Sequence, residues 1–187
     1  MRKNIAVFCA SHKGANPNYE SAAQNLGQLI ANQRRTLLYG GSNFGYMGVV
    51  AKAAYEGGAE VVGVIPTIFS DEVIYSQPVS ELVKVKNMAE RKQLLIERSD
   101  AFIALPGGVG TLDEITEVLV ANQLHQCDKP IGLLNIDGYY NLFMQLIDHM
   151  LSEGLLRPGL ERLIFVSSSP EELLAQLDNY GAVNCDQ

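Results

Sequence analysis

Short apolar segments alternate with longer amphipathic ones along the chain, and Gly, Pro, Asn or Asp separates one from the next. This alternation is typical of repeated β-α units, which fold as a parallel sheet with helices packed on its faces. A strand that is buried on both faces is nearly all apolar, as these short segments are. We therefore predict strands at residues 5–9, 36–39, 61–65, 101–105, 131–134 and 163–166, and a weaker strand at 82–86.

The longer segments predict helices at residues 18–32, 46–56, 88–98, 111–124, 139–153 and 171–179. Strands and helices together predict an α/β fold: a doubly wound, mostly parallel, Rossmann-like sheet with helices on both faces. In the helix at 111–124, apolar residues from Leu112 to Leu119 recur every three or four positions, which indicates one buried stripe. We expect the acids of this helix, Glu114 among them, to lie outside the stripe.

The composition limits the class of protein. With 187 residues, of which 47% are hydrophobic, the chain can fill one sizeable core. The 14 Lys and Arg against 21 Asp and Glu give a net charge of −7, the wrong sign for binding a polyanion, so we expect no nucleic-acid partner. No apolar stretch approaches the roughly 18 residues of a membrane span, and the N-terminal apolar run is too short for a signal peptide. We expect no membrane partner and a cytoplasmic location.

The cysteines and histidines lack the spacing of metal ligands. The three cysteines are scattered without a CxxC motif, which favours free thiols over disulfides or a zinc site. Cys9, at the end of the first predicted strand, is expected to be a buried structural thiol. The three histidines are also far apart, so we predict no metal and no cofactor.

Two glycine-rich segments follow predicted strands, and ligands of open α/β sheets bind at the carboxyl ends of strands. GGSNFGYMG follows Tyr39 and PGGVGTLDE follows Leu105, and each precedes a helix. Glycines let backbone N–H groups approach an anion, and the start of a helix adds unpaired donors and a positive dipole end. Either segment could hold a phosphate, although tight turns alone would also explain the glycines. Neither matches a P-loop or a dinucleotide fingerprint, which disfavours an ATPase or a dehydrogenase.

Charged residues near the second glycine segment suggest a site for a sugar phosphate. Glu114 lies three residues beyond Thr111, so it stands about one helical turn above the segment. A carboxylate there could hold ribose hydroxyls or a catalytic water, or it could only compensate the helix dipole. Five cations fall within residues 84–98 and indicate either an anion pocket or a solvated helix face. Arg91 is the one among them that is hardest to assign to a solvated face.

Six blocks of the sequence occur together in one order: NIAVFCAS, LYGGSNFGYMGVVA, EGGAEVVGVIP, NMAERK, PGGVGTLDE and DKPIGLLNIDGYYN. They look like the blocks of the Lonely Guy family of cytokinin riboside 5′-monophosphate phosphoribohydrolases, in the family order, and PGGVGTLDE looks like the family signature PGGxGTxxE. The resemblance covers almost the whole chain. It implies hydrolysis of the N-glycosidic bond of a purine nucleoside 5′-monophosphate, either AMP or an N6-modified cytokinin nucleotide. The products would be the free base and ribose 5-phosphate.

The resemblance also assigns roles to single residues. Arg91 and Glu114 match the catalytic pair. The residues that match substrate-contacting positions are Lys92, Gly107, Gly108, Gly110 and Thr111 and, less closely, Glu72, which would contact the base. From their places after strands or in the glycine segments, we add Ser11, Gly41 and Val109 as substrate-binding residues. The chain departs from the family pattern at Ala89, where the family has His, and at Ser42, where it has a third Gly.

The reaction suits the residues in these roles. Breaking a ribosyl–nitrogen bond creates an oxocarbenium-like sugar, which the carboxylate of Glu114 would stabilise. Arg91, which keeps its charge at neutral pH, would act as an electrostatic partner rather than as an acid. A pyridoxal-phosphate decarboxylase would need a Schiff-base lysine, and no lysine is singled out here. A nucleotide sensor or carrier without turnover is the alternative function.

We expect a single nucleotide-binding domain over residues 1–180, a frayed tail at 181–187, and a homodimer. The helix at 139–153 carries more large apolar residues than one helix face requires, at Tyr139, Tyr140, Phe143, Met144 and Ile147. These residues would pack against a second copy or, alternatively, within the core.

Overall fold

In the computed structural model, which describes residues 1–69 and 79–181, seven parallel strands form one sheet in the order β4-β3-β2-β1-β5-β6-β7. The strands are β1 (Asn4–Phe8), β2 (Thr36–Tyr39), β3 (Glu60–Pro66), β4 (Glu81–Val85), β5 (Ala101–Ala104), β6 (Ile131–Leu134) and β7 (Ile164–Ser167). From β1 the chain builds outward to β4, then returns to the other side of β1 to add β5, β6 and β7. The strand order therefore reverses between β1 and β5, where such sheets bind ligands.

Six described α-helices connect the strands or follow them: α1 (Pro17–Asn32), α2 (Gly45–Glu56), α3 (Met88–Arg98), α4 (Val109–Gln123), α5 (Asn141–Ser152) and α6 (Pro170–Asn179). Short 3-10 helices occur at Ile136–Gly138 and Leu160–Leu163. Local chemistry explains several helix starts. Asn16, Asn87 and Ser169 each accept a hydrogen bond from a backbone N–H of the first turn, and a proline follows Asn16 and Ser169, as is favoured at helix starts.

The strand side chains alternate between two hydrophobic layers. Along β1, Ile5 and Val7 join the layer of α1, α2 and α6, whereas Ala6 and Phe8 join the layer of α3, α4 and α5. This alternation follows from the two-residue period of a strand. Because both layers are apolar, the sheet is buried on both faces.

The predicted doubly wound α/β fold is confirmed. Cys9 and Leu105, which we predicted as the last residues of their strands, instead follow the ends of β1 and β5. The weaker strand candidate at 82–86 corresponds to β4. Residues 182–187 of the predicted tail lie outside the described residues. Within the described ranges, no helix is both long and apolar enough to cross a bilayer.

An ion pair between a buried arginine and a partly exposed aspartate ties the amino-terminal edge of the sheet to the last described helix. The guanidinium of Arg35, a residue only 3% exposed, donates to both carboxylate oxygens of Asp178 at 3.0 and 2.7 Å. Asp178 also accepts from the backbone N–H of Arg2 at 2.7 Å. Burial disfavours the charged carboxylate, but the hydrogen bonds from Arg35 and Arg2 outweigh this effect and lower the pKa of Asp178.

We predict that Asp178→Ala lowers the free energy of unfolding by on the order of 2–4 kcal/mol, because it leaves a buried guanidinium unpaired. Urea denaturation at pH 7 would measure the loss. The matched control is Glu56→Ala, which removes an exposed partner 3.8 Å from Lys52 and should cost at most about 1 kcal/mol. The difference in unfolding free energy between Asp178→Ala and wild type should shrink below about pH 4. Asp178 is then protonated in the unfolded chain, so its lowered pKa in the folded state contributes less to stability as the pH falls further. Equal losses in the two variants would contradict the prediction.

Candidate active site

A cavity of about 470 Å³ lies beyond the carboxyl ends of β1 and β5, at the reversal of strand order. Residues 9–12 after β1, Gly40 and Ser42 after β2, and Gly108 to Thr111 at the start of α4 contribute to its lining. Helix α3 contributes Met88 and Arg91, and α4 contributes Glu114. Segments from distant parts of the sequence therefore surround one space.

Arg91 and Glu114 form a buried ion pair in the wall of this cavity. The Nη2 of Arg91 lies 3.1 Å from Oε1 of Glu114, and both side chains are less than a tenth exposed. The Nε of Arg91 is buried without a hydrogen-bond partner. Such a group costs free energy unless a ligand or water accepts from it, so the guanidinium retains donor capacity beyond the ion pair.

The burial of Glu114 contradicts the expectation from helical periodicity. Glu114 is 4% exposed and lies on the buried side of α4 with Ile115 and Val118, not outside the stripe. Burial raises the pKa of its carboxyl to about 7, whereas the positive charge of Arg91 opposes this rise. Asp113 raises the pKa further and Lys92 lowers it. The carboxyl can therefore change its protonation state near neutral pH.

Gly40 makes room for the guanidinium of Arg91. A Cβ at position 40 would lie 1.8 Å from Nη2 of Arg91, so any other residue there would displace the guanidinium. Gly40 was not among the predicted site residues, and its place in the GGSNFGYMG segment was the available signal. Gly41, which we predicted to bind substrate, is absent from the cavity lining. It has a φ of +74° and packs against Ile65.

The two glycine-rich segments differ in what their helix starts contact. At α2, the N–H of Tyr46 donates to the carbonyl of Ala10 at 3.0 Å, and a Cβ at Gly45 would lie 2.4 Å from the backbone of Ser11 and His12. This first segment packs against the loop after β1. Neither helix start has a side-chain cap, but at α4 a Cβ at Gly108 or Gly110 would meet open space.

The start of α4 thus presents uncapped backbone donors to the cavity. The first turn of a helix has N–H groups without intrahelical partners and the positive end of the dipole. Gly108, Val109, Gly110 and Thr111 all line the cavity. Gly107 lies just behind them, where a Cβ would come within 2.1 Å of Oγ1 of Thr111. The arrangement suits an anion such as a phosphate.

The rest of the cavity wall is mainly apolar. Met47, Ile65, Phe69 and Met88 line it, and a flat heterocyclic base could pack against such a surface. These four residues were not predicted from the sequence, because apolar residues in a pocket and in a core have the same sequence pattern.

The other predicted site residues have varied positions. Ser11 lines the cavity, and its hydroxyl lies 3.1 Å from Nδ1 of His12. Lys92 does not line it: its ammonium group lies 3.1 and 3.0 Å from the carboxylates of Asp113 and Glu117. Glu72 lies outside the described residues. Substrate binding by Lys92 and Glu72 therefore stays a prediction.

Cys9 lines the cavity and is buried as expected. Burial raises the pKa of its thiol, so at neutral pH it is protonated and a poor nucleophile. Within the described part of the chain, no group of three or more His, Cys, Asp or Glu side chains could hold a metal ion.

Comparison with known proteins identifies relatives along nearly the whole chain. A family model described as possible lysine decarboxylase matches residues 47–177. The cytokinin riboside 5′-monophosphate phosphoribohydrolase LOG5 of Arabidopsis thaliana is 43% identical over 183 residues, which are 97% of this chain and 80% of that protein. The probable enzyme of the same description from Oryza sativa, LOGL2, is 42% identical over 95% of this chain and 73% of its own length.

Solved structures with this fold include carrier proteins. The molybdenum cofactor binding protein from Rippkaea orientalis superposes with a TM-score of 0.70 at 27% identity, over 96% of this chain and 97% of that chain. The Moco carrier protein from Chlamydomonas reinhardtii superposes with a TM-score of 0.73 over 98% of this chain and 99% of that chain. At 24% identity, the second match shows the fold alone.

We predict that the Glu114 carboxyl titrates near pH 7 and that Gly40→Ala raises its pKa further, because the new methyl group displaces the guanidinium that stabilises the charged form. Carbon-13 NMR of side-chain carboxyls in the ligand-free protein would follow the titration. Gly57→Ala is the matched control, since its Cβ would come within 2.6 Å of the Ala31 side chain, away from the site. That variant should leave the Glu114 pKa unchanged. An unchanged or lower pKa in Gly40→Ala would show that Gly40 does not position Arg91.

Proposed function

This chain belongs to the Lonely Guy family of phosphoribohydrolases, and we propose that it hydrolyses the N-glycosidic bond of a purine nucleoside 5′-monophosphate, either AMP or an N6-modified cytokinin nucleotide. The observation that carries the proposal is the buried ion pair between Arg91 and Glu114, whose charged atoms lie 3.1 Å apart. The pair lies in the wall of a cavity that is also lined by the uncapped start of α4. A cytoplasmic location stays a prediction.

In the proposed reaction, water adds to C1′ of the ribose as the bond from C1′ to the base nitrogen breaks. One proton of the water ends on the released base, and the hydroxyl group remains on ribose 5-phosphate. The sugar gains positive charge in the transition state, and the ionised Glu114 carboxylate stabilises that charge and can hold ribose hydroxyls. The guanidinium of Arg91 offsets the electron density that the departing base gains.

The start of α4 supplies the phosphate-binding part of the site. The 5′-phosphate would accept hydrogen bonds from the uncapped backbone N–H groups near Gly108 and Gly110, which also offer the positive end of the helix dipole. Between that start and Glu114 lies slightly more than one helical turn, about 6–9 Å at 1.5 Å per residue. This spacing is suited to a phosphate at one end of a ribose and a carboxylate at its anomeric carbon.

Two other functions are less well supported. A decarboxylase that uses pyridoxal phosphate needs a lysine for the Schiff base, and among the described residues that line the cavity none is a lysine. A carrier or sensor, like the molybdenum cofactor proteins of the same fold, would need the anion site but not a buried carboxylate beside an arginine. That carboxylate is costly to bury, and a catalytic role accounts for it.

We predict that the purified protein releases adenine from AMP and that Glu114→Gln lowers kcat by about 10²-fold or more with little change in KM, because the amide keeps the size but not the charge of the side chain. Chromatography of the free base measures both rates. Asp113→Asn is the matched control on the next residue of α4, where the side chain is 55% exposed, and its rate should stay close to wild type. Binding of AMP without adenine release would support the carrier, and full activity of Glu114→Gln would make Glu114 structural.

We also propose that the protein is a homodimer. Of the residues predicted for this contact, Tyr140 and Ile147 are buried in the core and Phe143 and Met144 pack against it. Tyr139, directly before α5, is 41% exposed, and α5 itself exposes Leu142 and Leu146. Helix α4 offers another surface, which we call the α4 ridge: Val109, Leu112, Val120 and Leu124, all more than a third exposed. The ridge begins at Val109, which also lines the cavity. A second copy on the ridge would cover exposed apolar surface and help to enclose the site.

We predict that light scattering at micromolar concentration gives a mass of twice 20.4 kDa, and that Val120→Glu reduces it to 20.4 kDa because a charge would be buried at the contact. The matched control is Tyr55→Glu on α2, an exposed residue in the helix layer on the other face of the sheet. That variant should remain dimeric. A monomeric wild type would refute the dimer, and a dimeric Val120→Glu would exclude the α4 ridge as its interface.

A further inference from the structure

Four tyrosines form a continuous series of edge-to-face ring contacts beside the cavity. The ring centroids lie 6.3 Å apart for Tyr46 and Tyr19, 5.6 Å for Tyr19 and Tyr139, and 5.1 Å for Tyr139 and Tyr140, with interplanar angles between 79° and 87°. Rings in this arrangement attract each other beyond the effect of burial alone. We call these four residues the tyrosine chain. None of them lines the cavity.

One end of the tyrosine chain holds the segment between β5 and α4. The hydroxyl of Tyr140 donates to the carbonyl of Leu105 at 2.6 Å, and the hydroxyl of Tyr139 donates to the carbonyl of Gly107. Burial raises the pKa of Tyr140, so its hydroxyl keeps its proton and remains a donor. Gly107 belongs to the PGGVGTLDE motif, and Leu105 is the residue directly before that motif.

The other end holds the loop after β1. The backbone N–H of Gly14 donates to the hydroxyl of Tyr46 at 2.7 Å, and the N–H of Tyr46 donates to the carbonyl of Ala10 at 3.0 Å. The loops after β1 and β5 are the two that flank the reversal of strand order. The tyrosine chain therefore connects the two loops between which the cavity lies.

A second set of contacts supports the middle of the tyrosine chain. The carboxylate of Asp137 accepts hydrogen bonds from the side-chain amides of Asn16 and Asn18 at 2.7 and 2.8 Å. Asn18 belongs to the first turn of α1, next to Tyr19, and Asp137 lies two residues before Tyr139. These bonds hold the helix of Tyr19 against the turn that carries Tyr139, and so preserve the ring contact between them.

The geometry of a peptide bond links Tyr139 to the anion site. In a trans peptide the C=O and the following N–H point in opposite directions, and no described peptide bond is cis. When Tyr139 holds the carbonyl of Gly107, it also sets the direction of the Gly108 N–H, away from Tyr139. Gly108 lines the cavity at the uncapped start of α4. Thr111 packs closely against Gly107 and so limits rotation of the Gly107 backbone.

We propose that Tyr139 and Tyr140 are positioning residues for phosphate binding: through their hydroxyl groups they orient the backbone of residues 105–108, and the rest of the tyrosine chain keeps this segment at a set distance from the loop after β1. The proposal rests on the proposed function in placing the 5′-phosphate at the start of α4. Neither tyrosine touches substrate in this role.

Tyr139→Phe tests the proposal, because it removes the hydroxyl and keeps the ring contacts. The loss of one orienting hydrogen bond should raise KM for AMP by about 5- to 10-fold with kcat little changed, and the Tyr139→Phe/Tyr140→Phe double variant should raise it further. We expect adenosine, which has no phosphate, to be hydrolysed more slowly than AMP, and the rate on adenosine should not change in these variants. Tyr180→Phe is the matched control, since its hydroxyl donates to Asp128 before β6, at the opposite edge of the sheet.

Calorimetry with ribose 5-phosphate separates this proposal from the catalytic one. Weaker binding by Tyr139→Phe, with binding by Tyr180→Phe unchanged, supports the positioning role even if no base is released from AMP. Two results would show that the positioning role is wrong even though the enzyme is active. In the first, Tyr139→Phe melts at the wild-type temperature but loses activity equally on AMP and adenosine. In the second, it keeps the wild-type affinity for ribose 5-phosphate. The single variant at the half-exposed Tyr139 keeps the test valid if the double variant does not fold.

Discussion

The ion pair between Arg91 and Glu114 places the strongest demand on the rest of the structure. Removing two charges from water is costly, and the attraction between them offsets that cost only when their geometry is well held. The fold holds it by placing the two residues on neighbouring helices, α3 and α4, and by leaving space for the guanidinium at Gly40. The Glu114 carboxyl still has a raised pKa. Burying it therefore costs stability, as is common for groups at functional sites.

The topology of the sheet explains why this pair lies beside the uncapped start of α4. Crossovers run to opposite sides of β1, so the loops after β1 and β5 diverge and leave a crevice between them. Helix α4 starts in that crevice, with Glu114 just over one turn from its open end. The tyrosine chain lies outside the crevice and contacts both loops. The reversal in strand order thus brings the Arg91–Glu114 pair, the start of α4 and the tyrosine chain to one place.

Motifs predicted which residues belong to the candidate site, but not which of them are buried or which partners they contact. PGGVGTLDE indicated both the proposed phosphate-binding segment and Glu114, and Arg91 was indicated by its place among the cations and by the family resemblance. The prediction that Glu114 lies outside the buried stripe was wrong, because helical periodicity treats every carboxylate as a surface residue. In its buried position Glu114 is paired with an arginine that α3 brings to it. Lys92, next to Arg91 in sequence, instead faces Asp113 and Glu117.

The sequence by itself determined the α/β class, the order of strands and helices, and the two segments that could bind a phosphate, because these depend on local periodicity and on glycine. Only the tertiary structure distinguished the two helix starts: the start of α2 packs against residues 10–12, whereas the start of α4 opens into the cavity. It also decided the burial of Glu114, the space at Gly40 and the contacts of the tyrosine chain. These depend on residues that are distant in sequence and adjacent in space, and local patterns carry no information about such distances.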